Sequence, residues 1–122
     1  MKISFDFDGT LTDPKIREVA ISLLDKHEVF ILTSRFSDTM EDVFGLAGRM
    51  GLKRENIFCT NLKDKGDWLV ENDLQFDIHF DDDYFQVDSI NNKTRTLAVL
   101  VDLTLHPNNI EITEGGLIIP KS

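Results

Sequence analysis

Apolar residues fall into short runs along this chain, and their spacing shifts between a period of two and a period near four. Ile3, Phe5 and Phe7 alternate with polar neighbours and predict a first strand over 2–7. Ile16, Val19, Ala20, Leu23 and Leu24 recur at helical spacing, behind Asp13 as N-cap and Pro14 in the first turn. Val29-Phe30-Ile31-Leu32 is a continuous apolar run, as in a strand buried on both faces. A second helix is expected over 37–50, carrying Met40, Val43, Phe44, Ala47 and Met50 and stopping at Gly51.

The same alternation continues. Residues 56–60 read as a third strand, and 64–72 as a helix presenting Trp68 and Leu69. Phe76 to Phe80 reads as a fourth strand running into Asp81-Asp82-Asp83. A short helix over 84–91, a loop at Asn91-Asn92-Lys93 and a fifth strand over 96–103 follow. The last stretch, with Gly115-Gly116 between apolar pairs, reads as a hairpin or an edge extension. Strands alternating with helices imply an α/β fold with a mostly parallel sheet and helices on both faces. The 122 residues fit one domain over 1–122.

Composition narrows the classes. Thirteen Lys and Arg against 22 Asp and Glu give a net charge of −9. That disfavours broad nucleic-acid binding, which needs cations against phosphates. It leaves open a site that grips one phosphate through a metal ion. No apolar run approaches the ~20 residues that span a bilayer. The first strand begins at Lys2, which leaves no room ahead of it for a signal peptide. The single cysteine, Cys59, forms no internal disulfide and reads as buried and inert. The expected location is cytoplasmic, with no membrane partner.

In open parallel sheets, ligands bind beyond the carboxyl ends of the strands. Asp6 and Asp8 follow the first strand, Thr33, Ser34 and Arg35 the second, and Asp81, Asp82 and Asp83 the fourth; Lys65 opens the third helix. Five carboxylates on one sheet edge repel one another and call for a cation. An all-oxygen donor set suits Mg²⁺, which is usually shared with a substrate phosphate. A carboxylate can attack phosphorus, and Mg²⁺, Lys65, Thr33 and backbone N–H groups can stabilise the transferred oxygens. Gly9 permits a tight turn after Asp8.

Asp6-Phe7-Asp8-Gly9-Thr10 after an apolar strand resembles the first motif of the haloacid dehalogenase superfamily of phosphatases. Ile31-Leu32-Thr33-Ser34-Arg35 is similar to its second motif, Lys65 to its third and Ile78-His79-Phe80-Asp81-Asp82 to its fourth. The four occur in order over residues 3–82. Lys63 competes with Lys65, but the spacing to Trp68 favours Lys65.

The resemblance implies a Rossmann-like three-layer sandwich. It implies Asp6 as nucleophile and Asp8 as general acid and base, with Thr33 and Lys65 completing the catalytic set. Ser34, Arg35 and Gly9 would contact substrate. Mg²⁺ would be held by Asp6, the Asp8 carbonyl and an acid of the fourth motif, with Asp82 favoured and Asp81 beside it. Asp8 points to phosphate esters rather than carbon–halogen bonds.

Neither interval between motifs has space for a cap domain. An open, capless site is associated in the family with bulky substrates or with oligomers, and the oligomeric state stays open. Arg35 is similarly placed to the Arg after the second motif of polynucleotide 3′-phosphatases, so nucleic acid enters only as a phosphate-end substrate. The bland alternatives are that Arg35 is a surface ion-pair residue, that Thr33 and Ser34 cap the second helix, that Asp83 caps the next one and that His79 is a strand residue facing a helix. The competing functions are a non-catalytic Mg²⁺- and phosphate-binding or pseudo-phosphatase module, and a phosphotransferase to an acceptor other than water. A receiver domain has similar groups, but there the Lys follows the acids.

Overall fold

The computed structural model describes residues 1–101, 110–112 and 118–120. Five strands form one sheet: β1 (Lys2–Phe5), β2 (Glu28–Thr33), β3 (Ile57–Cys59), β4 (Ile78–Asp81) and β5 (Leu97–Leu100). Their spatial order is β3-β2-β1-β4-β5, and every neighbouring pair is parallel. Helices α1 (Pro14–Leu23), α2 (Glu41–Met50), α3 (Lys65–Glu71) and α4 (Tyr84–Lys93) connect them. The expected α/β three-layer architecture is therefore present. Two further strands, β6 (Ile110–Ile112) and β7 (Ile118–Pro120), pair antiparallel with each other; of the segment expected as a hairpin or an edge extension, Gly115-Gly116 lies outside the described residues.

α1, α3 and α4 begin where a side chain can satisfy their free N–H groups. Asp13 accepts from the Lys15 N–H at 2.8 Å, Asp64 from Asp67 at 3.0 Å and Asp83 from Phe85 at 2.9 Å. Asp83 is thus a helix cap, as the bland reading had it. α1 buries Ile16, Ala20 and Leu23, and α2 buries Val43, Ala47 and Met50. Each set lies on one helical face. They cover one side of the sheet, against Ile3, Phe5, Val29, Ile31, Ile78 and Phe80.

On the opposite side, α3 and α4 bring Leu69, Val87 and Ile90 against Phe30, Leu32, Phe76 and Ala98, with Trp68 packed at the margin. The rings of Phe30 and Phe76 stand 5.1 Å apart. β2 is buried from both sides, so its uninterrupted apolar run is a strand and not a helix. Gly66 lets α3 and α4 approach closely: a Cβ there would lie 2.8 Å from the Ser89 carbonyl oxygen.

Several boundaries differ from the sequence reading. β1 stops at Phe5, and Phe7–Leu11 forms a wide turn, with Thr12 N–H donating to the Phe7 carbonyl at 3.2 Å. The turn leaves the strand early because Gly9 takes a left-handed conformation, φ +78°. The stretch 37–50 divides into a short 3-10 turn, Ser37–Thr39, and α2. Neither Thr33 nor Ser34 caps α2, which starts after Met40 without a side-chain cap. Asn91, Asn92 and Lys93 complete α4 and are not a loop; the Asn91 side chain bridges to Ala98 through both its carbonyl and its amide. The expected fifth strand over 96–103 is confined to β5, and 102–103 lie outside the described residues. Cys59 is half-buried, because β3 is an edge strand. No helix among the described residues is long and apolar enough to cross a membrane.

Candidate functional site

The chain order reverses at the centre of the sheet. β1 leads outward through β2 to β3, and the chain then returns to the other side of β1 at β4. Beyond the carboxyl ends of β1 and β4 the loops must part, which opens a crevice. A cavity of about 500 Å³ lies there. Its lining includes Asp6, Asp8, Thr33, Ser34, Lys65, Asp81 and Asp82, all expected from the sequence. Arg35 and Gly9 are not in the lining; Arg35 borders a neighbouring groove with Thr39 and Asp42.

Strand parity explains which carboxylates turn inward. Ile3, Phe5, Ile78 and Phe80 face α1 and α2. The alternate residues Ser4, Asp6, His79 and Asp81 therefore share the other face, toward α3 and α4. Ser4 and His79 stand side by side in register. The Asp6 N–H donates to the Phe80 carbonyl at 2.8 Å, so Asp6 continues the ladder just past β1.

Lys65, the first residue of α3, is 1% exposed and reaches down between the acids. Its Nζ donates to Asp6 Oδ1 at 2.8 Å and to Asp81 Oδ2 at 2.5 Å. Lys63, its competitor in the sequence, pairs instead with Glu71 at the surface.

Beneath the two acids runs a buried polar column. His79 Nε2 lies 2.8 Å from Asp81 Oδ2, and His79 Nδ1 lies 2.7 Å from Ser4 Oγ. Burial holds the His79 pKa down, so the ring is neutral. The Asp81 carboxylate can only accept, which puts the ring proton on Nε2 and makes Nδ1 the acceptor for the Ser4 hydroxyl. Asp81 Oδ1 accepts from the Asp83 N–H at 3.0 Å. Burial pushes Asp81 upward, but the His79 hydrogen bond and the Lys65 charge outweigh it and keep this acid ionised.

Asp6 is different. Burial pushes its pKa up to about 8, and the attraction of Lys65 offsets only part of that; Asp81 and Asp82 push it further up. Without a metal, Asp6 therefore keeps its proton at neutral pH, because Lys65 alone does not offset a second buried carboxylate beside Asp81. Carboxylate oxygens of Asp6, Asp81 and Asp82 lie within 4.8 Å of one another and could hold a cation. Asp81 spends both its oxygens on protein donors, whereas Asp82 is exposed and faces Asp6. Gly9 belongs to this arrangement through its backbone. A Cβ at residue 9 would fall 2.1 Å from Asp82 Oδ2, and the positive φ excludes a side chain there as well.

Thr33, at the end of β2, is 1% exposed, and its Oγ1 accepts from the Arg35 N–H at 3.3 Å. The loop after β3 is laced to this segment, with Thr60, Asn61 and Leu62 N–H groups donating to the Thr33, Arg35 and Ser34 carbonyls.

Asp8 sits at the outer edge and is gripped by Arg35 in a two-point pair, Nε–Oδ2 2.9 Å and Nη2–Oδ1 2.8 Å. Arg35 Nη1 also reaches Asp42 Oδ1 at 2.5 Å and the Thr39 carbonyl at 2.8 Å. The Arg35 hydrogen bond holds the Asp8 carboxyl below the usual range. Arg35 is therefore an ion-pair residue here, as the bland alternative had it.

Ser4 and His79 support the acids from beneath and Gln86 lines the cavity, and none of the three was singled out for the site from the sequence. The available signal was polar residues two positions before Asp6 and Asp81 in apolar strands. Neither a protein-family model, nor a curated protein, nor a solved structure matches the chain.

Proposed function

We infer that this chain is a Mg²⁺-dependent phosphomonoester hydrolase that works through an aspartyl-phosphate on Asp6. The observation that carries the reading is the Asp6 carboxylate. It is buried at the end of the central strand and held through Oδ1 by Lys65, and it opens onto a 500 Å³ cavity beside Asp82 and Thr33. The four-motif resemblance to haloacid dehalogenase phosphatases supports it independently.

The donor set fits a hard cation: three carboxylates with only oxygen to offer, in a site short of positive charge. Asp6 and Asp82, with the Asp8 carbonyl, would hold Mg²⁺, which when bound neutralises charge on the phosphoryl oxygens. The chain's own groups do the rest. Asp6 Oδ2, which accepts only a long hydrogen bond from the Thr10 hydroxyl at 3.5 Å, attacks phosphorus as the bond to the leaving oxygen breaks. Asp8 gives that oxygen a proton, then takes one from the water that attacks the phospho-Asp6 and releases phosphate. Thr33 and Ser34 orient phosphoryl oxygens, and Lys65 keeps Asp6 aimed and offsets its charge.

One observation favours a second reading, a phosphate- and cation-binding module without turnover. Arg35 keeps Asp8 ionised, the wrong state for an acid that must first give a proton. An anionic phosphoryl group beside Asp8 raises its proton affinity, which restores the hydrolase reading when substrate is present.

The test is hydrolysis of p-nitrophenyl phosphate by wild type and Asp6→Asn, with Mg²⁺ and with EDTA. The hydrolase reading expects turnover that needs both the metal and Asp6. Turnover retained in a clean Asp6→Asn preparation contradicts it, and binding of Mg²⁺ and phosphate without turnover selects the module.

A further inference from the structure

The first turn of α4 exposes two aromatic rings at the mouth of the acidic cavity. Phe85 is 79% exposed, the most of any large apolar side chain among the described residues, and Tyr84 is 61% exposed. Their centroids stand 6.0 Å apart with the planes at 76°. Both line the same cavity as Asp6, Thr33 and Lys65. Neither serves the core, because α4 buries Val87 and Ile90 instead.

The backbone that carries the rings is tied to the acidic centre. The Asp83 cap accepts the Phe85 N–H, and the Asp83 N–H itself donates to Asp81 Oδ1. From the next position, Gln86 Oε1 accepts the Lys65 N–H at 2.9 Å. The platform and the reacting groups are thus parts of one hydrogen-bonded frame.

Exposed aromatic faces beside a polar site can stack on planar rings, whose unsaturated faces they match. Asp82, Asp83 and Asp88, all exposed, surround the first turn of α4 with negative charge. That charge repels polyphosphates and long nucleic acid, and tolerates a ligand with a single phosphate and a neutral ring.

We propose that Tyr84 and Phe85 form a stacking platform that selects phosphomonoesters carrying a planar aromatic ring, nucleobase or aryl, over aliphatic ones. This specificity rests on the phosphatase reading of the same site.

A nucleoside 5′-monophosphate and ribose 5-phosphate share their leaving alcohol and differ by the base alone. Their kcat/KM values, measured with Mg²⁺ for wild type and for the double variant Tyr84→Ala/Phe85→Ala, isolate the platform. Wild type is expected to prefer the nucleotide by about ten-fold. In the double variant that ratio falls toward one, through KM. Both side chains are exposed, so the melting temperature checks that the variant is folded. Phosphotyrosine, run beside the nucleotide, tells which ring the platform takes: the KM that rises in the double variant names it. A rise in neither overturns the proposal.

Failure of the hydrolase reading looks different, since neither phosphate ester would then turn over. In that case the ring resonances of Tyr84, the only tyrosine in the chain, still report stacking. A shift with the nucleotide and none with ribose 5-phosphate supports the platform, and no shift with either overturns it.

Discussion

Asp6 and Asp8 lie two residues apart, yet each anchors an ion-pair network of opposite character. The Asp6 network is buried: Lys65 and Asp81 side chains are 1% exposed, and His79 and Ser4 complete it below. The Asp8 network is at the surface, where Asp8 is 57% and Asp42 62% exposed around Arg35. Buried charges forfeit hydration and depend on every partner, so removing one is costly. Surface pairs keep most of their hydration and contribute little to stability. The inner network therefore fixes the geometry of Asp6, and the outer one sets the charge state of Asp8.

The largest expected effect on stability comes from removing the central cation of the inner network. Lys65→Met leaves Asp6 and Asp81 without their shared partner, and it should lower the unfolding free energy by about 3–5 kcal/mol. Urea denaturation measures this. A loss below about 1 kcal/mol, the scale of a surface pair, would erase the contrast between the two networks.

Next is the pH dependence without metal. Asp6 has a folded pKa raised to about 8, above its unfolded value of 3.8. Between these values the folded state binds the extra proton, so the contribution favours folding in acid and is lost as pH rises from about 4 to about 8. The loss is on the order of a few kcal/mol. Melting temperatures at pH 5 and pH 8 should show the decline, and Mg²⁺ should restore more stability at pH 8 than at pH 5. Asp6→Asn should flatten the slope. An unchanged slope in that variant would assign the pH dependence to other groups.

His79→Ala should cost about 1–3 kcal/mol by orphaning the Ser4 hydroxyl and one hydrogen bond of Asp81. The same variant should weaken Mg²⁺ binding, read by calorimetry, because Asp81 loses its support. A variant equal to wild type in both measurements would reduce the polar column to packing.

The smallest effect is expected from Arg35→Gln, under about 1 kcal/mol at neutral pH, because the pair is solvated. Asp8 has a depressed folded pKa, so the pair's contribution is present above the unfolded value and disappears as pH falls through the folded one. The difference in melting temperature between wild type and variant should therefore vanish in strong acid.

These contrasts also mark what the sequence could disclose. The alternation of elements was legible because β2 is buried on both faces while α1 and α2 each present one apolar face. The acids were legible because they follow strand ends, where a parallel sheet opens. What was not legible depends on contacts far apart in the chain. Arg35 and Asp8 are 27 positions apart, and only the folded loop shows that the pair is satisfied internally. Tyr84 and Phe85 fell within the expected helix over 84–91, and hydrophobicity does not reveal that α4 turns them toward the cavity. Ser4 and His79 were visible as polar breaks in apolar strands, but their partnership requires the β1–β4 register.

The most direct test of Asp6 as the covalent acceptor is chemical trapping. Enzyme turning over substrate with Mg²⁺ would be quenched in acid, reduced with borohydride and mapped by peptide mass spectrometry. Reduction of phospho-Asp6 to homoserine at position 6, absent without substrate, is the expected result. Sustained turnover with residue 6 recovered only as aspartate would contradict the account.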